Sequence, residues 1–275
     1  MTIYLTSDLH VDHYAENRAE IARFIERMLP DCDALCVAGD TADNPKIFID
    51  FYRLASQKYK RVLLTFGNHD LTVRHDDCFA ANPFEQTAPK LEWLKEKLCE
   101  LPNVSLLDGT VERLGKLKIG GCMGFNDFSV GSKAYPKPRE WLVNEWQYWY
   151  DNVHWRYMGN DPAAILKSEM KKLEAVAAQK PDILMTHFIP TAFGVPNKYQ
   201  DEISNAFFYF DADRFLDKMK GGSIWLAGHT HDAASKTLRL GLKKLSLLLN
   251  PIGYPMETNG KYDLKKRTRA AMIEV

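Results

Sequence analysis

At 275 residues, 45% hydrophobic and 26% charged, the chain has the size and composition of one large or two small globular domains, and not of a disordered segment. Lys+Arg and Asp+Glu stand at 36 each, so no net field draws the molecule to nucleic acid or a membrane, though a local basic patch is compatible with that balance. Five cysteines (Cys32, Cys36, Cys78, Cys99, Cys122) form no C-x-x-C, which points to reduced thiols and a cytoplasmic setting.

The opening MTIYLTSDLH enters a strand at once, without a basic or apolar leader, so no signal peptide is expected. No apolar run nears the ~18 residues needed to cross a bilayer. In ENRAEIARFIERML, Ile21, Phe24, Ile25, Met28 and Leu29 share one helical face. ALCVAGD is a second buried strand, PKIFIDFYRLASQ a helix opened by Pro45, and RVLLTFGNHD a third strand. This β-α-β-α-β alternation predicts a sheet covered by helices on both faces. PKLEWLKEKLCEL gives another helix, followed by the short strands VSLLDG, TVERLG and KLKIGGC with a turn at Gly115. Later come a helix at AAILKSEMKKLEAVAAQ, the strand DILMTHF, a helix near DADRFLDKM, the strand SIWLAGHTH, and closing strands around KTLRLG and LSLLLNP. No internal repeat or low-complexity linker interrupts the series, so a single domain over residues 1–275 is expected.

Residues 126–161 have a different texture. They hold Trp141, Trp146, Trp149 and Trp155, with Trp141, Glu145, Tyr148 and Trp149 near helical spacing. The plainer expectation is a helical insertion that packs its aromatics on the sheet; the alternative is a cap over an active site, or a subunit interface. In the cap reading, Asn126, Lys133, Lys137 and Arg139 lie at the rim. The aromatics would stack on a flat leaving group and the cations would hold a second phosphate.

Five apolar strands end on polar residues. Asp8 and His10 close the first; as i and i+2 of a strand they would point the same way. GDTAD carries Asp40 and Asp43 after a glycine that lets the backbone turn. GNHD carries Asn68 and His69, DILMT leads to His187, and GHTH supplies His229 and His231. Any one of these alone reads as a satisfied core or capping group. As a set they are different, because ligands of an α/β sheet gather at the carboxyl ends of its strands. Imidazole, carboxylate and amide donors without thiolate suit Mn, Fe, Zn or Co and not a structural zinc. Seven ligands (Asp8, His10, Asp40, Asn68, His187, His229, His231) are enough for two ions sharing a carboxylate. Such a pair, ~3.5–4 Å apart, clamps the attacking and leaving oxygens of a phosphoryl displacement and activates a water between them.

The ordered series D-x-H, G-D-x-x-D, G-N-H-D, His and G-H-x-H resembles the calcineurin-like, or binuclear, metallophosphoesterases. The resemblance implies an α/β fold, a four-layered α/β/β/α sandwich with two central mixed sheets. It implies that Asp8, His10 and His231 bind one ion and Asn68, His187 and His229 the other, with Asp40 bridging. His69 would then serve the phosphoryl or leaving oxygen, oriented by Asp43, and Asp70 would anchor the turn. Asn44-Pro45 stand where protein Ser/Thr phosphatases of this superfamily carry Arg, Asp43 stands where purple acid phosphatases place a Tyr ligand, and His69 argues against the lipid-A pathway hydrolases. A small-molecule or nucleotide phosphate ester, monoester or diester, is the expected substrate. NPIGYP looks like a stretch of the bacterial-type group, with Ile252 where Arg is usual. A nuclease of the double-strand-break repair type shares the motifs but would bring a DNA-binding extension or basic face, and a non-catalytic scaffold would have lost ligands. No membrane partner is expected, and the sequence leaves the oligomeric state open.

Overall fold

The computed structural model describes residues 1–73, 83–131, 134–155, 161–258 and 263–275. Strands β1 (Thr2–Thr6), β2 (Ala34–Ala38), β3 (Arg61–Thr65), β4 (Val104–Leu106) and β11 (Met272–Glu274) form one sheet in the order β11-β1-β2-β3-β4. β1 to β4 run parallel and β11 is antiparallel on the β1 edge. The second sheet has β5 (Thr110–Leu114), β6 (Leu117–Gly121), β7 (Ile183–Met185), β8 (Ile224–Ala227), β9 (Ala234–Leu240) and β10 (Lys243–Leu249) in the order β5-β6-β7-β8-β10-β9. Its core β6-β7-β8-β10 is parallel, with antiparallel β5 and β9 at the edges. The protein is thus an α/β fold with two mixed sheets.

Local chemistry sets the helices. Asn17 caps α1 (Arg18–Met28) and Asn44 caps α2 (Pro45–Lys58), each accepting two backbone N–H groups of the first turn. Pro45 at the start of α2 costs nothing, since that N–H has no helical partner. α3 (Thr87–Cys99) packs on α2, and α2 on α1, so the three lie side by side. α4 (Arg139–Trp146), α5 (Tyr150–His154), α6 (Pro162–Ala177), α7 (Asp213–Leu216), α8 (Pro255–Thr258) and α9 (Leu264–Ala271) complete the set, with α6 against β5 and β6.

The expected helix layers on both faces of the first sheet are corrected here. One side takes α1 to α3; the second sheet approaches the other, so closely that a Cβ on Gly121 would meet Thr65 Cγ2 at 2.7 Å. A strand buried on both faces reads the same whether a helix or a sheet covers it. The sheets join at their carboxyl ends, where Ser7 bridges Pro251 and the Ile252 N–H donates to Ser7 O at 3.0 Å. Among the described residues no helix is long and apolar enough to cross a membrane. Cys32, Cys36, Cys99 and Cys122 are free, and Cys78 lies outside the described residues.

Asp70, fully buried, ties the ends of β2 and β3 together. Its carboxylate accepts the backbone N–H groups of Gly67 (2.7 Å), Asp40 (3.0 Å), Thr41 (2.8 Å) and Ala42 (3.2 Å). Each such donor left buried without an acceptor costs ~1–3 kcal/mol, against a total stability of about 5–15 kcal/mol for a typical domain. Asp70→Ala should therefore lose at least ~3 kcal/mol in urea denaturation, and Asp70→Asn, which keeps one acceptor oxygen, less. An alanine variant as stable as the parent would mean that the two loops are held elsewhere.

Candidate metal centre

The polar strand ends converge. Asp8, His10, Asp40 and His231 present ligand atoms within 4.8 Å of one another, and so do Asp40, His187 and His229. Asp40 belongs to both groups. Its Oδ2 lies 3.7 Å from His10 Nε2 and 3.2 Å from His187 Nε2. Asn68 Oδ1 is 2.8 Å from His187 Nε2, on the side of the second group.

The backbone is bent to achieve this. Of the non-glycine residues with positive φ, Asp8 (51°), His10 (43°), Asp40 (55°), His229 (75°) and His231 (54°) all sit here. β1 ends at Thr6, so Asp8 and His10 reach the centre from a left-handed turn and not from the i, i+2 pleat that the sequence suggests. A left-handed residue with a Cβ costs ~1–2 kcal/mol, and such strain gathers where surrounding contacts over-determine the conformation. Room is made by Gly67, where a Cβ would lie 2.1 Å from Asp40 Oδ1.

Three of the imidazoles are locked in one tautomer. His187 Nδ1 donates to Ala38 O (3.0 Å), His229 Nε2 to Phe207 O (3.3 Å) and His231 Nδ1 to Glu257 Oε2 (2.7 Å). A carbonyl or carboxylate oxygen only accepts, so the proton stays on the outer nitrogen and the inner lone pair faces the cluster. The inner nitrogens then lie close: His10 Nε2 to His231 Nε2 at 3.0 Å, His187 Nε2 to His229 Nδ1 at 3.2 Å. Asp40 Oδ2 is buried without a hydrogen-bond partner among the described residues. Converging lone pairs with an orphaned carboxylate oxygen suit cations, so the donor set fits two metal ions. Burial pulls the His187 imidazole down, yet the Asp40 and Asp8 carboxylates push it up to about 9; burial holds His10 and His229 well below the usual imidazole range.

His69 stands beside this cluster. Its Nδ1 meets Asp43 Oδ1 at 2.7 Å, and its backbone N–H donates to Asp40 Oδ1 at 2.9 Å. Burial disfavours the imidazolium, but the Asp43 and Asp40 carboxylates outweigh it and hold His69 at about 10. Tyr150 O–H donates to Asp43 Oδ2 at 3.0 Å, and Tyr254 Oη lies 3.3 Å from His69 Nε2. Lys90, fully buried, donates to Asp43 O and Thr72 O. A cleft of about 250 Å³, lined in part by His69, Trp149, Tyr150, Phe208 and Tyr254, opens over the centre.

Two of the residues expected at the rim, Asn126 and Arg139, lie elsewhere. Asn126 is fully buried and its amide has no hydrogen-bond partner among the described residues. Arg139 is exposed, with Nε donating to Asp127 O at 3.3 Å and its guanidinium 5.6 Å from the Phe128 ring centre. Neither lines the cleft, and Lys133 lies outside the described residues. Tyr150, Glu257 and Lys90 were not singled out from sequence, and Tyr254 only as part of the NPIGYP stretch. Of the first three, Lys90 alone left a signal, a cation on the same α3 face as Leu94 and Leu98.

A family model for the calcineurin-like phosphoesterases matches residues 1–233. No curated protein matches the chain in sequence. Among solved structures, the phosphopantetheinyl hydrolase of Mycobacterium tuberculosis is similar with a TM-score of 0.71 and 18% identity, covering 94% of this chain and 92% of that one; the likeness is one of fold. Weaker likenesses, which carry no argument, are a protein of unknown function from Aquifex aeolicus (TM-score 0.31, 14% identity, 79% and 93% covered) and the sulfate thiohydrolase SoxB of Thermus thermophilus in complex with glycerol (0.37, 10%, 90% and 51%). The chain belongs to the calcineurin-like phosphoesterase family, and it carries two candidate metal-binding groups of buried Asp and His.

Ligands that bind only the folded state stabilise it by about 2.7 kcal/mol at a concentration 100 times Kd, or roughly 5–10 °C in a chain of this size. Chelation should lower Tm by that order for each ion lost, and added Mn should restore it. Identical melting with and without chelator would argue that no ion occupies the cluster.

Proposed function

We propose that the protein hydrolyses a phosphate ester of a small molecule or nucleotide with the help of two metal ions. Asp8, His10 and His231 would hold one ion, Asn68, His187 and His229 the other, and Asp40 would lie between them. Manganese, iron or zinc suits such donors. Bound ions would polarise the phosphoryl group and make water acidic enough to attack it near neutral pH. The observation that carries this reading is the tautomer lock, which aims three imidazole lone pairs inward around Asp40 Oδ2, a carboxylate oxygen without a hydrogen-bond partner among the described residues.

His69 supplies the proton for the leaving oxygen in this reading. With Nδ1 bound to Asp43, its Nε2–H faces the cleft, and the Tyr254 hydroxyl beside that nitrogen lies where a leaving oxygen would meet it. Asp43, itself held by the Tyr150 hydroxyl, fixes the ring plane and favours the imidazolium. We read residues 1–275 as one domain with residues 126–161 inserted as a partial cap, since Trp149 and Tyr150 border the cleft. The free thiols fit a cytoplasmic setting.

The first test is hydrolysis of bis-p-nitrophenyl phosphate against p-nitrophenyl phosphate with added Mn; activity on neither in metal-replete protein would overturn the reading. Asp40→Asn should weaken both sites and cut hydrolysis by orders of magnitude while circular dichroism stays unchanged. Full metal occupancy with near-normal turnover in that variant would remove Asp40 from its bridging role. His69→Ala should keep both ions yet lose roughly 10²–10⁴-fold in rate, less for substrates with good leaving groups. A fall in metal content instead would make His69 a ligand.

A further inference from the structure

The insertion reaches the metal centre through α5 and the residue after it. Asp151, fully buried, accepts a hydrogen bond from Asn68 Nδ2 at 2.9 Å. Trp155 Nε1 donates to Asn68 O at 2.9 Å, and the Val73 N–H donates to His154 O at 3.0 Å. So the loop that carries Asn68 and His69 is gripped from outside by a segment far away in sequence.

A side-chain amide has two unlike ends, and its energy in a tight site depends on which end faces which neighbour. An ionised carboxylate only accepts. Beside Asp151, Asn68 must present Nδ2 outward, which turns Oδ1 toward His187 Nε2 and the second group of ligand atoms. Asp151 Oδ2 has no hydrogen-bond partner among the described residues. Burying a carboxylate with one oxygen unsatisfied is costly, and a residue that served packing alone would do better without the charge. We infer that Asp151 is a positioning residue for the candidate metal centre: it fixes the Asn68 amide with its oxygen turned toward the group where His187 and His229 would hold an ion.

The inference rests on the proposed role of Asn68 and extends it to a residue of the insertion. It is tested on the full chain by Mn calorimetry. Asp151→Ala should weaken one of the two Mn sites about 10–100-fold and leave the other unchanged. Asp151→Asn, whose amide can show either end, should fall between that variant and the parent. Asn68→Asp alone sets two carboxylates face to face and should also weaken that site. Adding Asp151→Asn to it restores a donor–acceptor pair in reversed order and should recover most of the lost affinity. This exchange remains informative if Asp151→Ala does not fold, because both partners keep their size. Parent-like affinity in Asp151→Asn, with no recovery in the double variant, would overturn the inference while leaving the phosphoesterase reading intact. A parent protein that binds no Mn would overturn both.

Discussion

One carboxylate sets the distance between the two loops on which the centre is built. Asp70 gathers four backbone N–H groups, three from the loop after β2 and one from Gly67 after β3. That contact places Asp40, which lies between the two ligand groups, above the turn that carries Asn68 and His69. It also explains why glycine precedes the turn: the loops approach so closely that a side chain at Gly67 would overlap Asp40. From the other side, Lys90 holds the carbonyls of Asp43 and Thr72, so the His69–Asp43 pair is fixed by α3 as well. The loops are thus positioned by buried polar contacts, which are directional where apolar packing is not.

Around this frame, an outer ring of acceptors decides what the inner ring presents. Ala38 O, Phe207 O and Glu257 take the outer protons of three histidines, as Asp151 takes the outer N–H of Asn68. Each outer group can only accept, so each inner group is left with a lone pair to offer. That is a poor arrangement for an empty protein, since it brings lone pairs together and adds strained backbone at five positions. A metal ion among these groups would offset that crowding.

The inner ring was legible in the sequence and the outer ring was not, for a physical reason. A polar residue at the end of a five-residue apolar run, beside a glycine, violates the pattern of a buried strand, and five such violations in one chain point to a shared site. The outer acceptors break no local rule. Asp151 and Glu257 sit in short helices whose other residues are partly exposed, and two of the acceptors are backbone carbonyls without any side-chain signature. The edge strand β11 was missed because three residues carry too little periodicity. In the insertion, the spacing of Trp141, Glu145, Tyr148 and Trp149 suggested one helix, but the chain breaks after Trp146 and starts again at Tyr150.

That break is what lets the insertion serve two ends at once. Before it, Trp146 is buried against Phe125; after it, Trp155 is buried against the same ring and also donates to Asn68 O. Between these two anchors, α5 holds Tyr150 toward Asp43 and Asp151 toward Asn68. A continuous helix would turn successive residues by a fixed angle and could not fasten both tryptophans while sending adjacent side chains to two different site residues. Packing and contact with the candidate site are therefore not competing descriptions of the described part of this segment. The aromatic burial supplies non-directional stability, and the hydrogen bonds it holds in place reach Asp43 and Asn68 of the candidate site.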